Sequence, residues 1–287
     1  DGGLPEVVPF ESPRLLAARL RALRTARAGA CPAKKDAATC RALAHMARLG
    51  VGGPVDAAAA TEAERTACSA GDDASCLAMA RRDPERAERL ARTMRLRSRD
   101  ACRRGDLAAC ATFGELATTL GSSGAPEPET ARVIWTSACT RGGTDACRKL
   151  LAAPGLTAAE VAPIAAGFER ACDAGDPEGC ASLGLVVLNG LVPRADGSAA
   201  RGVDHDRGHK LLERACLGEV GLACTALAIR RVSLEPAAVA RLFARGCALG
   251  EVEACSELAR HTEGGRGVIA DRAAADQLYD RACALGR

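Results

Sequence analysis

The chain has 287 residues, 48% of them hydrophobic, 26% charged and 2% aromatic, with 39 Lys+Arg against 36 Asp+Glu and a net charge of +3. This apolar content and near-balanced charge exclude a disordered chain, which needs few apolar residues and high net charge, and the aromatic shortage excludes a core built mainly on ring packing. Fifteen cysteines are left as the candidates for holding together a fold whose 63 alanines each bury little area.

The chain opens at Asp1, and a trimmed N-terminus is expected, with any signal peptide or lipid-attachment site removed. Residues 1–12 are expected to form an extended or loosely ordered extension, and residues 13–287 a single repeat domain. The first predicted helix lies near Pro13 to Ala28. Cysteines then recur in pairs: Cys31/Cys40, Cys68/Cys76, Cys102/Cys110, Cys139/Cys147, Cys172/Cys180, Cys216/Cys224 and Cys247/Cys255, with Cys283 alone. Six pairs are spaced by eight and the first by nine, and the leading cysteines follow one another at 37, 34, 37, 33, 44, 31 and 36 residues. A local pair recurring at this period marks a helical repeat array.

The residues around each pair predict a helix end, a tight turn and a helix start. Three residues after the leading cysteine stands Gly71, Gly105, Gly142, Gly175, Gly250 or Gly286, suited to the left-handed position just past a helix. Asp72, Asp106, Asp145, Asp176 or Glu251 follows, suited to an N-cap. Four residues before the leading cysteine lie Trp135, Phe168, Leu212, Phe243 and Tyr279, five before lie Ile134, Leu211, Leu242 and Leu278, and eight before lie Ile164, Val239 and Ala275. These offsets describe one helical face, so the aromatics are expected to be core rather than a ligand platform. The early units fit less well: Arg97 and Ser98 precede Cys102, and Glu64 precedes Cys68, so those helices are expected to be more loosely packed or more exposed. Gly121–Glu129 and Leu191–Arg201 read as insertions, which in solenoids often gather on a binding face.

Around this frame the segment Gly265-Arg-Gly-Val-Ile-Ala-Asp271 with Ala275, Leu278, Tyr279, Ala282 and Cys283, the segment Gly202-Val-Asp-His-Asp206 running to Ala215-Cys216, and Cys180-Ala-Ser-Leu-Gly184 to Gly190 resemble the Sel-one-like repeat. The cysteine pairs resemble its disulfide-rich, secreted bacterial cysteine-rich branch. The resemblance covers about residues 30–287. It implies an all-α, α/α solenoid of stacked helix-turn-helix repeats, a tetratricopeptide-like right-handed superhelix with about seven helix pairs and an N-terminal helix. One disulfide would join consecutive hairpins. The usual role in the family is adaptor or binding scaffold, and some members of the branch bind penicillins or slowly hydrolyse β-lactams.

On this reading Cys31–Cys40, Cys68–Cys76, Cys102–Cys110, Cys139–Cys147, Cys172–Cys180, Cys216–Cys224 and Cys247–Cys255 are bridged, and Cys283 is unpaired in this chain. Its mate would fall at position 291, so the array is expected to continue. Cysteines eight apart across a short helical turn can reach disulfide geometry. Metal is the competing use, but zinc ligands usually come as C-x₂₋₄-C with His nearby. Bridges imply an oxidising compartment, hence the periplasm, cell surface or outside, with a lipid anchor as one means of retention.

No catalytic, cofactor or metal residues are assigned. His205 and His209 stand four apart beside Asp204 and Asp206, and the repeat frame reads Asp206 as an N-cap with both histidines flanking a surface helix start. No H-E-x-x-H, G-x-S-x-G or S-x-x-K signature occurs. With 35 Arg but no basic stripe interleaved with aromatics, nucleic acid is not an expected partner, and no apolar run reaches the ~20 residues of a membrane span. The expected function is extracytoplasmic protein–protein interaction, with a protein or peptide bound on the concave face. A β-lactam-binding or weakly hydrolysing protein is the alternative, and a self-assembling structural subunit of a surface assembly the third reading.

Overall fold

The computed structural model describes residues 13–34, 36–80, 84–119, 126–191, 203–231 and 234–285. The N-terminal extension, residues 121–125 of the first expected insertion, Gly286, and all but Leu191 of the second insertion lie outside them. Among the described residues fifteen α-helices follow one another and no strand occurs. They are α1 (Pro13–Lys34), α2 (Ala37–Arg48), α3 (Ala57–Ser69), α4 (Asp73–Ala80), α5 (Pro84–Arg103), α6 (Leu107–Thr119), α7 (Pro128–Cys139), α8 (Thr144–Leu151), α9 (Ala158–Asp173), α10 (Pro177–Leu188), α11 (His205–Leu217), α12 (Gly221–Arg230), α13 (Pro236–Ala248), α14 (Val252–Gly264) and α15 (Arg272–Leu285). Each helix packs on its chain neighbours, giving an α/α solenoid.

The seven cysteine pairs lie at disulfide-bonding distance, with Cα atoms 4.5 to 4.8 Å apart. Each pair ties the last turn of an odd-numbered helix to the first turn of the next, where the trailing cysteine is always the fourth residue. The chain reverses between them through a left-handed residue: Gly71, Gly105, Gly142, Gly175 and Gly250 have φ between 88° and 103°. Asp72, Asp106 and Asp176 then accept a backbone N–H of the next helix, from Ser75, Ala109 and Glu178.

The repeat frame misplaces two acids, Asp145 and Asp206, and places Glu251 correctly. Gly143 caps α8, and Asp145 sits in its first turn, paired with Arg148. Asp204, not Asp206, caps α11, accepting from Arg207 N–H. Glu251 is the N-cap of α14 but makes no side-chain capping bond, because its longer side chain fits that geometry less well than Asp. At the turn after Cys216 the left-handed position falls on Glu219, with φ 68°. A residue with a Cβ is strained there by about 1–2 kcal/mol. Glu219→Gly is therefore expected to raise stability by up to about 1 kcal/mol, after subtraction of the 0–1 kcal/mol of its exposed ion pair with Arg19. Urea unfolding of the two proteins measures the difference.

The repeat positions upstream of each cysteine fill the core. Phe168, Leu212 and Phe243 are buried, and Trp135 is 7% exposed with its indole N–H donated to Ala111 O at 3.0 Å. This makes Trp135 a packing residue, as the offsets predict. Close approach depends on small residues: a Cβ on Gly167 would lie 2.6 Å from both sulfurs of Cys139–Cys147, and one on Gly114 2.3 Å from the Trp135 Nε1. The early helices are present and their apolar clusters are small, yet the poorly fitting Glu64 and Ser98 are buried within them. Arg48 pairs with Glu64 at 2.6 Å, and Ser98 Oγ donates to Met94 O at 2.7 Å, so the polar groups are satisfied in place of the aromatic contact.

The array also closes on itself. Helix α1 packs against α13, with Leu16, Leu20, Met46 and Val51 gathering against Ala248 and Leu249. A Cβ on Gly250 would lie 2.8 Å from the Leu49 Cβ. Arg281 Nη2 donates to Gly50 O and to Cys247 O, at 3.0 and 3.2 Å, and Arg19 pairs with Glu219. The first hairpin thus rests on the last helices.

Candidate binding face

Successive even-numbered helices from α4 to α14 touch one another, whereas the principal contacts between successive odd-numbered helices are α1–α3 and α7–α9. The inner arc of a curved stack is the shorter one, so the even-numbered helices line the inside. Their polar side chains form rungs between neighbours. Arg41 of α2 pairs with Asp72 at the start of α4 at 2.8 Å, Lys149 of α8 with Glu115 of α6 at 3.0 Å, and Arg148 of α8 with Glu178 of α10 at 3.1 Å. Thr144 Oγ1 donates to Asp176 at 2.5 Å.

His45 of α2 is on this inner wall. It is exposed to water yet closely surrounded, and that desolvation holds its imidazole below the ordinary histidine value. The Glu178 carboxylate acts on it in the opposite sense from α10, while Arg48 reinforces the shift.

A second set of arginines holds the helix ends. Arg214, Arg245 and Arg281 each stand two residues before a leading cysteine, and each donates to the carbonyl of the leading cysteine one repeat earlier: Cys172, Cys216 and Cys247. Each of these carbonyls already accepts a backbone N–H from its turn, of Gly175, Glu219 or Gly250, and the negative end of the helix draws the guanidinium to the remaining lone pair; the planar group can serve two carbonyls at once. Arg245 does so, adding Leu217 O, and Arg281 adds Gly50 O. In the sequence Arg stands at this offset before four leading cysteines, the fourth being the exposed Arg170 before Cys172.

The His205 and His209 rings are 5.8 Å apart on the first turns of α11, and among the described residues no three His, Cys, Asp or Glu side chains gather as a metal would require. Burial, with Arg231 and His205 adding to it, keeps His209 below the usual value. His261 lies at 2.9 Å from Arg266 O and edges against Phe243. Cys283 carries an exposed thiol on α15. Among the described residues no helix is long and apolar enough to cross a membrane.

No family model matches the sequence, and no curated protein matches it. Solved structures do. One is c5321, a protective antigen of uropathogenic Escherichia coli with an SLR fold, at TM-score 0.51 and 16% identity over 94% of this chain and 61% of that one. Another is a Sel1 repeat protein from Oxalobacter formigenes, at TM-score 0.52 and 16% identity over 98% of this chain and 80% of that one. The chain therefore spans about three fifths of the first of these proteins. The stacked hairpins, the cysteine frame and these neighbours together give the identification: this chain has the Sel-one-like repeat fold.

Proposed function

We propose that this protein is an extracytoplasmic interaction module that takes a peptide segment of a partner protein along the inner face of its array. The observation that carries the reading is the rail of exposed polar side chains presented inward by α2, α8 and α10: Arg41, His45, Arg148 and Glu178, with Arg41 anchored on the largely buried Asp72. Charges of both signs at repeat spacing suit an extended segment of mixed charge, whose groups exchange with the existing rungs. Seven cysteine pairs at bonding distance support an oxidising location.

A photo-crosslinking amino acid placed at His45 or Arg148, and as a control at the exposed outer Val133 of α7, tests the face. Exposed to the periplasmic or surface extract of the source cell, the inner positions are expected to capture one and the same protein and the outer position none. Equal capture from Val133, or none from the inner positions, rejects inner-face binding.

A further inference from the structure

Closure of the array creates a cavity of about 390 Å³ between its first hairpin and its last helices, within the range of small-molecule sites. Gly50, Gly52 and Gly53 in the α2–α3 turn and Ala244 on α13 line it with small residues. The turn lies close against α1, where a Cβ on Gly52 would meet Leu20 O at 2.3 Å. Its walls are mostly apolar, with Leu20 of α1, Leu258 of α14 and Leu278 of α15 facing one another. Two cations complete the lining, Arg21 and Arg281, and no carboxylate belongs to it.

The state of Arg281 gives the cavity a sign. Both of its contacts in the structure are neutral carbonyls, Gly50 O and Cys247 O, shared by one nitrogen, Nη2. Its Nε is buried and has no hydrogen-bond acceptor. Arginine stays protonated in proteins, so a partly desolvated charge faces an apolar space without a counter-charge, a costly arrangement that an anion would relieve. Arg21 is exposed and adds a second positive charge at the same cavity.

We propose that this cavity binds an amphipathic organic anion, a medium-chain carboxylate, with its chain against Leu20, Leu258 and Leu278 and its carboxylate on Arg281 and Arg21. An ionised carboxylate accepts from a guanidinium in a strong, charge-assisted bond, and a saturated chain of eight to ten carbons is what the three leucines can desolvate. The ligand touches α1 and the α2–α3 turn on one side and α13, α14 and α15 on the other. It therefore fastens the closure, and its binding must raise thermal stability through mass action.

The probe is decanoate, with decylamine and decanol as chain-matched controls, added to the oxidised full chain. Calorimetry and thermal melting are both recorded. Saturable binding below about 1 mM with a rise in Tm is expected for decanoate, weaker binding for decanol and none for decylamine. Arg21→Glu, at an exposed position where the fold is not at stake, and Ala244→Phe, which fills the cavity and leaves both arginines in place, are each expected to weaken decanoate about tenfold or more. Equal responses to decanoate and decylamine overturn the proposal, as does an absence of binding. Decanoate binding unchanged in both variants, with their far-ultraviolet circular dichroism intact, places the fatty anion elsewhere on the surface and overturns it as well.

Discussion

Full reduction and alkylation of the cysteines is expected to unfold the array at room temperature. Each of the seven pairs closes a loop of eight or nine residues' separation, and a crosslink of that span contributes about 2–3 kcal/mol by constraining the unfolded chain. Taken together, seven such contributions come to about 14–21 kcal/mol, as large as or larger than the about 5–15 kcal/mol of net stability typical of a folded domain. The remaining core is thin, since alanine supplies many of the buried positions. The single Trp135, buried in the native protein, is the reporter. Its emission is expected to shift red and helical circular dichroism to fall on reduction. Intact mass is expected to rise by 14 hydrogens on reduction before alkylation, two for each bridge. A reduced, alkylated chain that keeps its helix content and melts cooperatively would show that packing alone sustains the fold.

Phe168→Ala is the point substitution expected to cost most, about 3–5 kcal/mol. Phe168 is 0% exposed and lies among Trp135, Leu150, Ile164 and Leu183, where α7, α8, α9 and α10 meet. The site resists collapse, because Gly167 beside it already brings the α9 backbone against the Cys139–Cys147 sulfurs. The cavity left by the ring would therefore persist. Tyr279→Ala provides the internal control: it occupies the same repeat offset before Cys283 but is half-exposed, with its hydroxyl 3.4 Å from Glu263. A cost of about 1 kcal/mol or less is expected there. Urea unfolding that gave both variants the same loss would mean that repeat position, rather than local burial, sets the energy.

Much of this architecture was legible in the residues. The cysteine period, the glycine three residues on and the aliphatic or aromatic residues four, five and eight before each pair fix the helices and their buried faces. Each of these signals acts between residues close in the chain. The acids were read less well: Asp145 and Asp206 carry the right chemistry, yet Gly143 and Asp204 take the N-caps, because a helix start can slip by two residues while keeping its buried face. Glu64 and Ser98 stand at inner repeat positions that fit the apolar frame poorly, and their burial rests on partners the frame does not announce, Arg48 and Met94 O. On the inner face, the ion-pair rungs from Arg41 to Asp72 and from Arg148 to Glu178 join residues about one repeat apart. Nothing in either partner's own neighbourhood announces them.

The chain by itself determined the repeat, the handedness-neutral stack of helices and the cysteine pairs, since hydrogen bonds at caps, left-handed turns and short crosslinks are local. Tertiary structure decided that the stack closes, with Leu49 against Gly250, Arg281 on Gly50 and Arg19 on Glu219. Curvature accumulates from a small rotation at every helix contact, set by how closely residues such as Gly167, Gly179 and Gly208 let neighbours approach. A sum of small angles over the fifteen described helices leaves no mark in any one segment. The cavity at the closure follows from the same sum, and it exists only where the first hairpin comes to rest on the last.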